Sequence, residues 1–228
     1  MKNSFKIREH KISLIFAVLS SIIVIFQTQR FWFLFDLSFI LEYTYRMVTG
    51  GIIYKDFFLP YPPGTFLFQE YLIKIFGTTL YPQIVYCCII SFFTYLLTYR
   101  ILFFFKNDKI LNIFLSLPVA ITGGYGIIMF PFYDVDCTFF ILISIFFILY
   151  CYENSFSPLS TFLSGMLAVL PVFFKQNIGL VYLFLVHAVF IIVLIFRRDE
   201  VKHKNYYGQS PTGAVYSKEN GSPNGVKE

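Results

Sequence analysis

Charge is what this sequence has least of: Asp, Glu, Lys and Arg make up only 14% of its 228 residues. A soluble domain of ordinary composition carries about 25%. The chain is instead 57% hydrophobic, and its 31 Phe and 17 Tyr cannot all be hidden in one water-soluble core. That combination excludes an ordinary soluble domain and implies an all-α polytopic membrane protein. Tryptophan is nearly absent, and no basic stripe is interleaved with aromatics, so nucleic acid is excluded as a partner. The four cysteines and three histidines show no CxxC or Cys/His spacing, and no metal site follows from them. The cysteines read as small polarizable packing residues. No internal repeat is present, and no small-x-small cleavage site follows the N-terminal apolar run, so that run reads as an uncleaved first span.

The charges that do occur are placed informatively. Basic clusters fall at Lys2–Lys11, at Lys106–Lys109 and at Arg197–Lys204. Between them the apolar runs predict about six transmembrane helices: Ile12–Phe35, Tyr81–Phe105, Ile110–Phe130, Cys137–Tyr152, Pro158–Phe174 and Ile178–Phe196. Thr65–Phe76 is apolar but carries Gln69, Glu70 and Lys74. As a helix it rises only about 18 Å, which predicts an amphipathic helix along the outer surface, ended by Gly77. This arrangement puts all three basic clusters, and both termini, on the cytoplasmic side. The layout is then a cytoplasmic N-terminus (1–11), a membrane module (12–196) with a first outer loop (36–79), and a cytoplasmic, largely disordered tail (197–228) whose stretch from Asn205 is too polar to fold.

With this topology Asp36, Lys55, Asp56, Asp134, Asp136 and Lys175 all lie at outer span ends or in outer loops. Charges held at membrane depth need water or partners, which makes them functional candidates. Asp36 reads either as the N-cap of the helix that follows or as a general base taking a proton from an acceptor hydroxyl. Lys55 and Asp56 read as a solvated turn or as a cation set against a lipid phosphate. Of Asp134 and Asp136, one is expected to cap the next helix. The other is left to bind sugar or acceptor, or a divalent cation, for which two acids alone are a weak signal. Lys175 reads as a snorkelling residue or as a second phosphate contact. Glu42 and Arg46, four apart, predict a surface ion pair. Gly50-Gly51 predicts a helix stop with positive φ at one of them, and Pro60–Gly64 a rigid lead into the surface helix.

The segment D-x5-E-x3-R-x3-G-G-I-I-Y-K-D-F-F with Y-P-P-G, the later Y-D-V-D and the turn F-F-K-Q-N-I-G-L together resemble the multispanning GT-C glycosyltransferases. The bacterial branch related to aminoarabinose-lipid A transferases, protein O-mannosyltransferases and Rgt-type sugar transferases is the nearest in look. The resemblance covers roughly Phe35–Leu180. It implies a polyprenyl-phosphate sugar donor, transfer at the outer membrane face with inversion at the anomeric carbon, and no cofactor beyond an optional divalent cation. Asp36 matches the family's catalytic acid, and Asp134 or Asp136 its second acidic motif. Lys55 and Lys175 fall where basic residues are common. Leu37 stands where the family usually carries Glu. Family members are usually longer, so the expectation is the N-terminal half of such an enzyme, in a bacterial-type plasma membrane, with a partner subunit as one source of further spans. A non-catalytic GT-C-like subunit or truncated remnant is the alternative, and a small transporter ranks third.

Overall fold

Helix is the only regular secondary structure among the described residues, apart from an isolated bridge between Ile53 and Phe57. The computed structural model describes residues 11–28, 34–125, 130–153 and 157–207, with backbone alone at 34–36 and 193–207. In chain order the helices are α1 (Lys11–Thr28), α2 (Leu34–Val48), α3 (Gly64–Phe76), α4 (Tyr81–Phe105), α5 (Lys109–Thr122), α6 (Tyr133–Glu153), α7 (Pro158–Val169) and α8 (Gln176–Tyr207). A 3-10 turn, Leu170–Phe173, extends α7. Two compact units result, Met1–Val186 and His187–Glu228; the described part of the second is the remainder of α8.

Three of the helices, α1, α4 and α6, are long and apolar enough to cross a membrane. The apolar helices Lys109–Thr122, Pro158–Phe173 and Gln176–Ile192 are shorter. The distribution of side chains fits a lipid solvent. On α1 the buried positions are Ser13, Ala17, Ser20, Val24 and Thr28, while Ile12, Ile15, Val18 and Phe26 face outward. Large apolar groups outside and small or polar ones inside invert the soluble pattern. Small residues let backbones approach, and hydroxyls then bond across the seam. Thus Ser20 and Ser91 share a hydrogen bond of 2.6 Å, and Ser21 donates to the Cys88 carbonyl at 2.8 Å. Tyr95, fully buried on α4, accepts from Ser116 of α5 at 3.2 Å.

Local chemistry sets the helix ends. Asp108 accepts from the Ile110 and Leu111 amides to start α5, and Ser157 forms a reciprocal capping box with Ser160 before α7. Gly50 has φ 98°, as the Gly-Gly stop requires. Glu42 and Arg46 form the expected exposed pair at 2.6 Å.

Several boundaries depart from the sequence reading. Of the first apolar run, Lys11–Thr28 is helical as α1, and the described chain resumes in helix at Leu34, with 29–33 outside the described residues. The backbone at Asp36 is already helical, so Asp36 lies within α2 and is not the N-cap that precedes it. Likewise α6 begins at Tyr133, so Asp134 and Asp136 lie inside its first turn and neither precedes it as a cap. Helix α5 stops at Thr122, closed by left-handed Gly123, instead of running to Phe130. At the other end α8 runs through Arg197 and Asn205 to Tyr207, so the first residues assigned to a disordered tail are helical; 208–228 lie outside the described residues.

Candidate functional site

Three motifs far apart in sequence meet at the N-terminal end of α6. The first is the Tyr-Pro-Pro-Gly lead into α3. Gly64 packs so closely on the chain after α7 that an added Cβ would lie 2.6 Å from the Phe173 carbonyl oxygen. Only glycine permits that approach. The second motif is Tyr133–Asp136, and the third is Phe173–Lys175. Aromatic rings join them: Phe174 stacks on Phe140 at 4.3 Å and lies 5.9 Å from Phe68 of α3, while Tyr61 stacks on Tyr133 at 4.4 Å.

Asp134 and Lys175 form an ion pair across this junction. The Lys175 ammonium also lies 4.9 Å from the centre of the Tyr133 ring, a cation–π contact backed on its other partner by Tyr61. Both charged side chains keep part of their surface open, 21% for Lys175 and 32% for Asp134.

Asp136 has a different environment. It is fully buried, and each carboxylate oxygen accepts one hydroxyl: Thr65 Oγ1 donates to Oδ2 at 2.6 Å, and Tyr86 OH to Oδ1 at 2.8 Å. These bonds tie α3 and α4 to the start of α6. Burial of an unpaired carboxylate is costly, and hydrogen bonds to it are among the stronger kinds. One helical turn beyond Thr65, Gln69 is also fully buried, and neither its amide oxygen nor its amide nitrogen meets a protein partner. The Gln83 amide oxygen, one turn before Tyr86, is buried and unpartnered in the same way.

The other sequence candidates lie elsewhere or outside description. Lys55 and Asp56 are exposed in a tight turn. Asp56 closes that turn by accepting from the Ile52 amide at 2.8 Å, and Tyr54 there has φ 66°. The turn is anchored by Phe57, 5.8 Å from Tyr43 of α2. The side chain of Asp36 lies outside the described residues. Its neighbour Leu37 packs in the same apolar cluster as Phe66 and Tyr133, which brings that turn of α2 to the edge of the junction. No cluster of three or more His, Cys, Asp or Glu suited to a metal occurs among the described residues.

Thr65, Tyr86, Tyr61, Tyr133 and Gln69 were not singled out from the sequence. Thr65 had the clearest signal, as a hydroxyl directly after Tyr-Pro-Pro-Gly; Tyr86 was one tyrosine among 17. By fold the chain is helical among the described residues, with three helices long and apolar enough to cross a membrane. Comparison with models of known families, with characterised proteins and with solved structures finds no match.

Proposed function

We propose that the protein is a GT-C-type glycosyltransferase, or a module of one, that moves a sugar from a polyprenyl-phosphate donor to an acceptor at the outer membrane face. The observation that carries this reading is the meeting of the Tyr-Pro-Pro-Gly, Tyr-Asp-Val-Asp and Phe-Phe-Lys segments at one end of α6, since these segments also carry the resemblance to the family. In this reading the six apolar segments all span the membrane, both termini are cytoplasmic, and the junction faces outward, as the three basic clusters require.

The assigned chemistry is a single displacement. The Asp36 carboxylate takes the proton of an acceptor hydroxyl as its oxygen attacks the anomeric carbon from the face opposite the phosphate. The bond from that carbon to the phosphate oxygen breaks, and the polyprenyl phosphate leaves with the electron pair. Configuration at the sugar is inverted. Lys55 and Lys175 serve the phosphate, with Asp56 shaping the turn that presents Lys55. Asp134, which keeps part of its surface open, offers acceptors for hydroxyl groups. Asp136 acts as a positioning residue, holding α3 against α4 and α6 through Thr65 and Tyr86.

Sugar transfer from polyprenyl-phosphate donors by the purified protein tests the reading. Asp36→Asn is expected to reduce the rate by about 10²–10⁴-fold, the size of a general-base contribution. Transfer at full rate in Asp36→Asn would remove Asp36 from the role.

A second reading, a non-catalytic subunit on the same scaffold, is favoured by one residue. Leu37, where the family usually has Glu, is almost completely buried in the apolar cluster. No acid can take that position without losing the packing. A stable complex with another membrane protein, formed by a chain that transfers no sugar to any acceptor tried, would decide for it.

A further inference from the structure

The Asp134–Lys175 pair occupies the cation that the transferase reading assigns to the lipid phosphate, which leaves the reaction as a monoester. We propose that Asp134 is an internal competitor for Lys175, displaced when the phosphate monoester of an isoprenoid lipid binds; this rests on the lipid-phosphate reading above.

Four observations argue for exchange over a fixed structural pair. Both side chains are partly open, with the pairing oxygen Asp134 Oδ1 itself enclosed, so an incoming anion approaches the pair from the exposed part of Lys175. A phosphate monoester near neutral pH carries more than one negative charge and three acceptor oxygens, against the single charge of a carboxylate. Lys175 does not lose its position when Asp134 leaves, because the Tyr133 ring still holds the ammonium at 4.9 Å and Tyr61 buttresses that ring. Finally, the released Asp134 stays in the first turn of α6, where the helix dipole stabilises an anion.

The surroundings select an amphiphile over a free ion. Phe173, two residues before Lys175, is 53% exposed, and Phe68, which stacks on Phe174, is 44% exposed. An apolar chain can lie along these rings while its phosphate reaches Lys175.

The test measures binding to the full chain in phosphatidylcholine nanodiscs, with farnesyl phosphate as the probe. Farnesol, inorganic phosphate and phosphatidylglycerol serve as competitors. Wild type is expected to bind farnesyl phosphate. Lys175→Gln should weaken it by about tenfold or more, the loss of a charge-assisted contact, while Lys175→Arg largely restores it and so excludes misfolding as the cause. The distinctive expectation is that Asp134→Asn tightens binding by about three- to tenfold, because removing a competing anion returns its pairing free energy to the ligand. Unchanged or weaker binding in Asp134→Asn would overturn the proposal, as would unchanged binding in Lys175→Gln. Equal competition by inorganic phosphate would assign a free-anion site, and equal competition by phosphatidylglycerol a general headgroup site; either result contradicts isoprenoid selection. Failure of the two readings is distinguishable. Tightening in Asp134→Asn without any sugar transfer would retain the exchange and sink the enzyme, whereas transfer without tightening would do the reverse.

Discussion

Asp136 accepts hydrogen bonds from Thr65, 71 residues away in sequence, and from Tyr86, 50 residues away. Removing either donor leaves a buried carboxylate short of a partner, which costs about 1–3 kcal/mol. Thr65→Val is therefore expected to lower thermal stability in detergent by that amount, and a Thr65→Ser variant to keep most of it. An unchanged melting temperature in Thr65→Val would show that this hydroxyl is not needed. Gly64→Ala is expected to cost about 1–3 kcal/mol for a different reason, since the new methyl meets the Phe173 carbonyl and the edge of Phe174. Little of this detail was legible in the sequence. The acids stood out because charges are rare in this chain, but their hydroxyl partners did not, because Thr and Tyr are common in an apolar helix and pairing over such separations leaves no local mark. The placement of Asp134 and Asp136 inside α6 was missed because Tyr133 and Val135 continue the apolar pattern across them.

Among the elements, α3 is the most revealing. Its buried side carries Thr65, Phe66, Gln69 and Ile73, while Leu67, Phe68, Tyr71, Ile75 and Phe76 are exposed. Its 13 residues rise about 20 Å, short of the hydrocarbon core, and Glu70 and Lys74 pair across one turn at 2.6 Å. Its buried side mixes Thr65 and Gln69 with Phe66 and Ile73, its exposed side mixes large apolar groups with Lys74, and its length falls short of a span, as expected of an interfacial helix. Single cysteines at Leu67 and Phe76, in a chain cleared of its four native cysteines, are expected to react with an impermeant thiol reagent from the same side of the membrane. Reaction from opposite sides would make α3 a span. The sequence announced this helix clearly, because Gly64 and Gly77 bracket it and its charges are too many for a span. It announced α5 less well, because the apolar residues beyond Gly124 read as a continuation that Gly123 interrupts.

At the scale of the molecule, small residues of α1 and α5 pack against large buried rings of α4. Ala17 is fully buried within a cluster with Tyr95, Tyr99 and Ala120. Ala17→Leu should separate these helices and cost about 1–3 kcal/mol, seen as a lower melting temperature in detergent, whereas Val18→Leu on the outward face should be neutral. This level of organisation was the most legible from sequence, since composition and run length depend on no particular contact. The site was legible as an address, through its motifs, but not as an arrangement; Asp136 became a latch and Asp134 a partner of Lys175 only once the fold brought them together. The most direct measurement of the whole account is the anomeric configuration of sugar transferred by the purified protein from a polyprenyl-phosphate donor, followed by NMR. The account predicts a product of configuration opposite to the donor's, formed with one polyprenyl phosphate released per sugar. Retention of configuration, or no transfer from any polyprenyl-phosphate sugar, would contradict it.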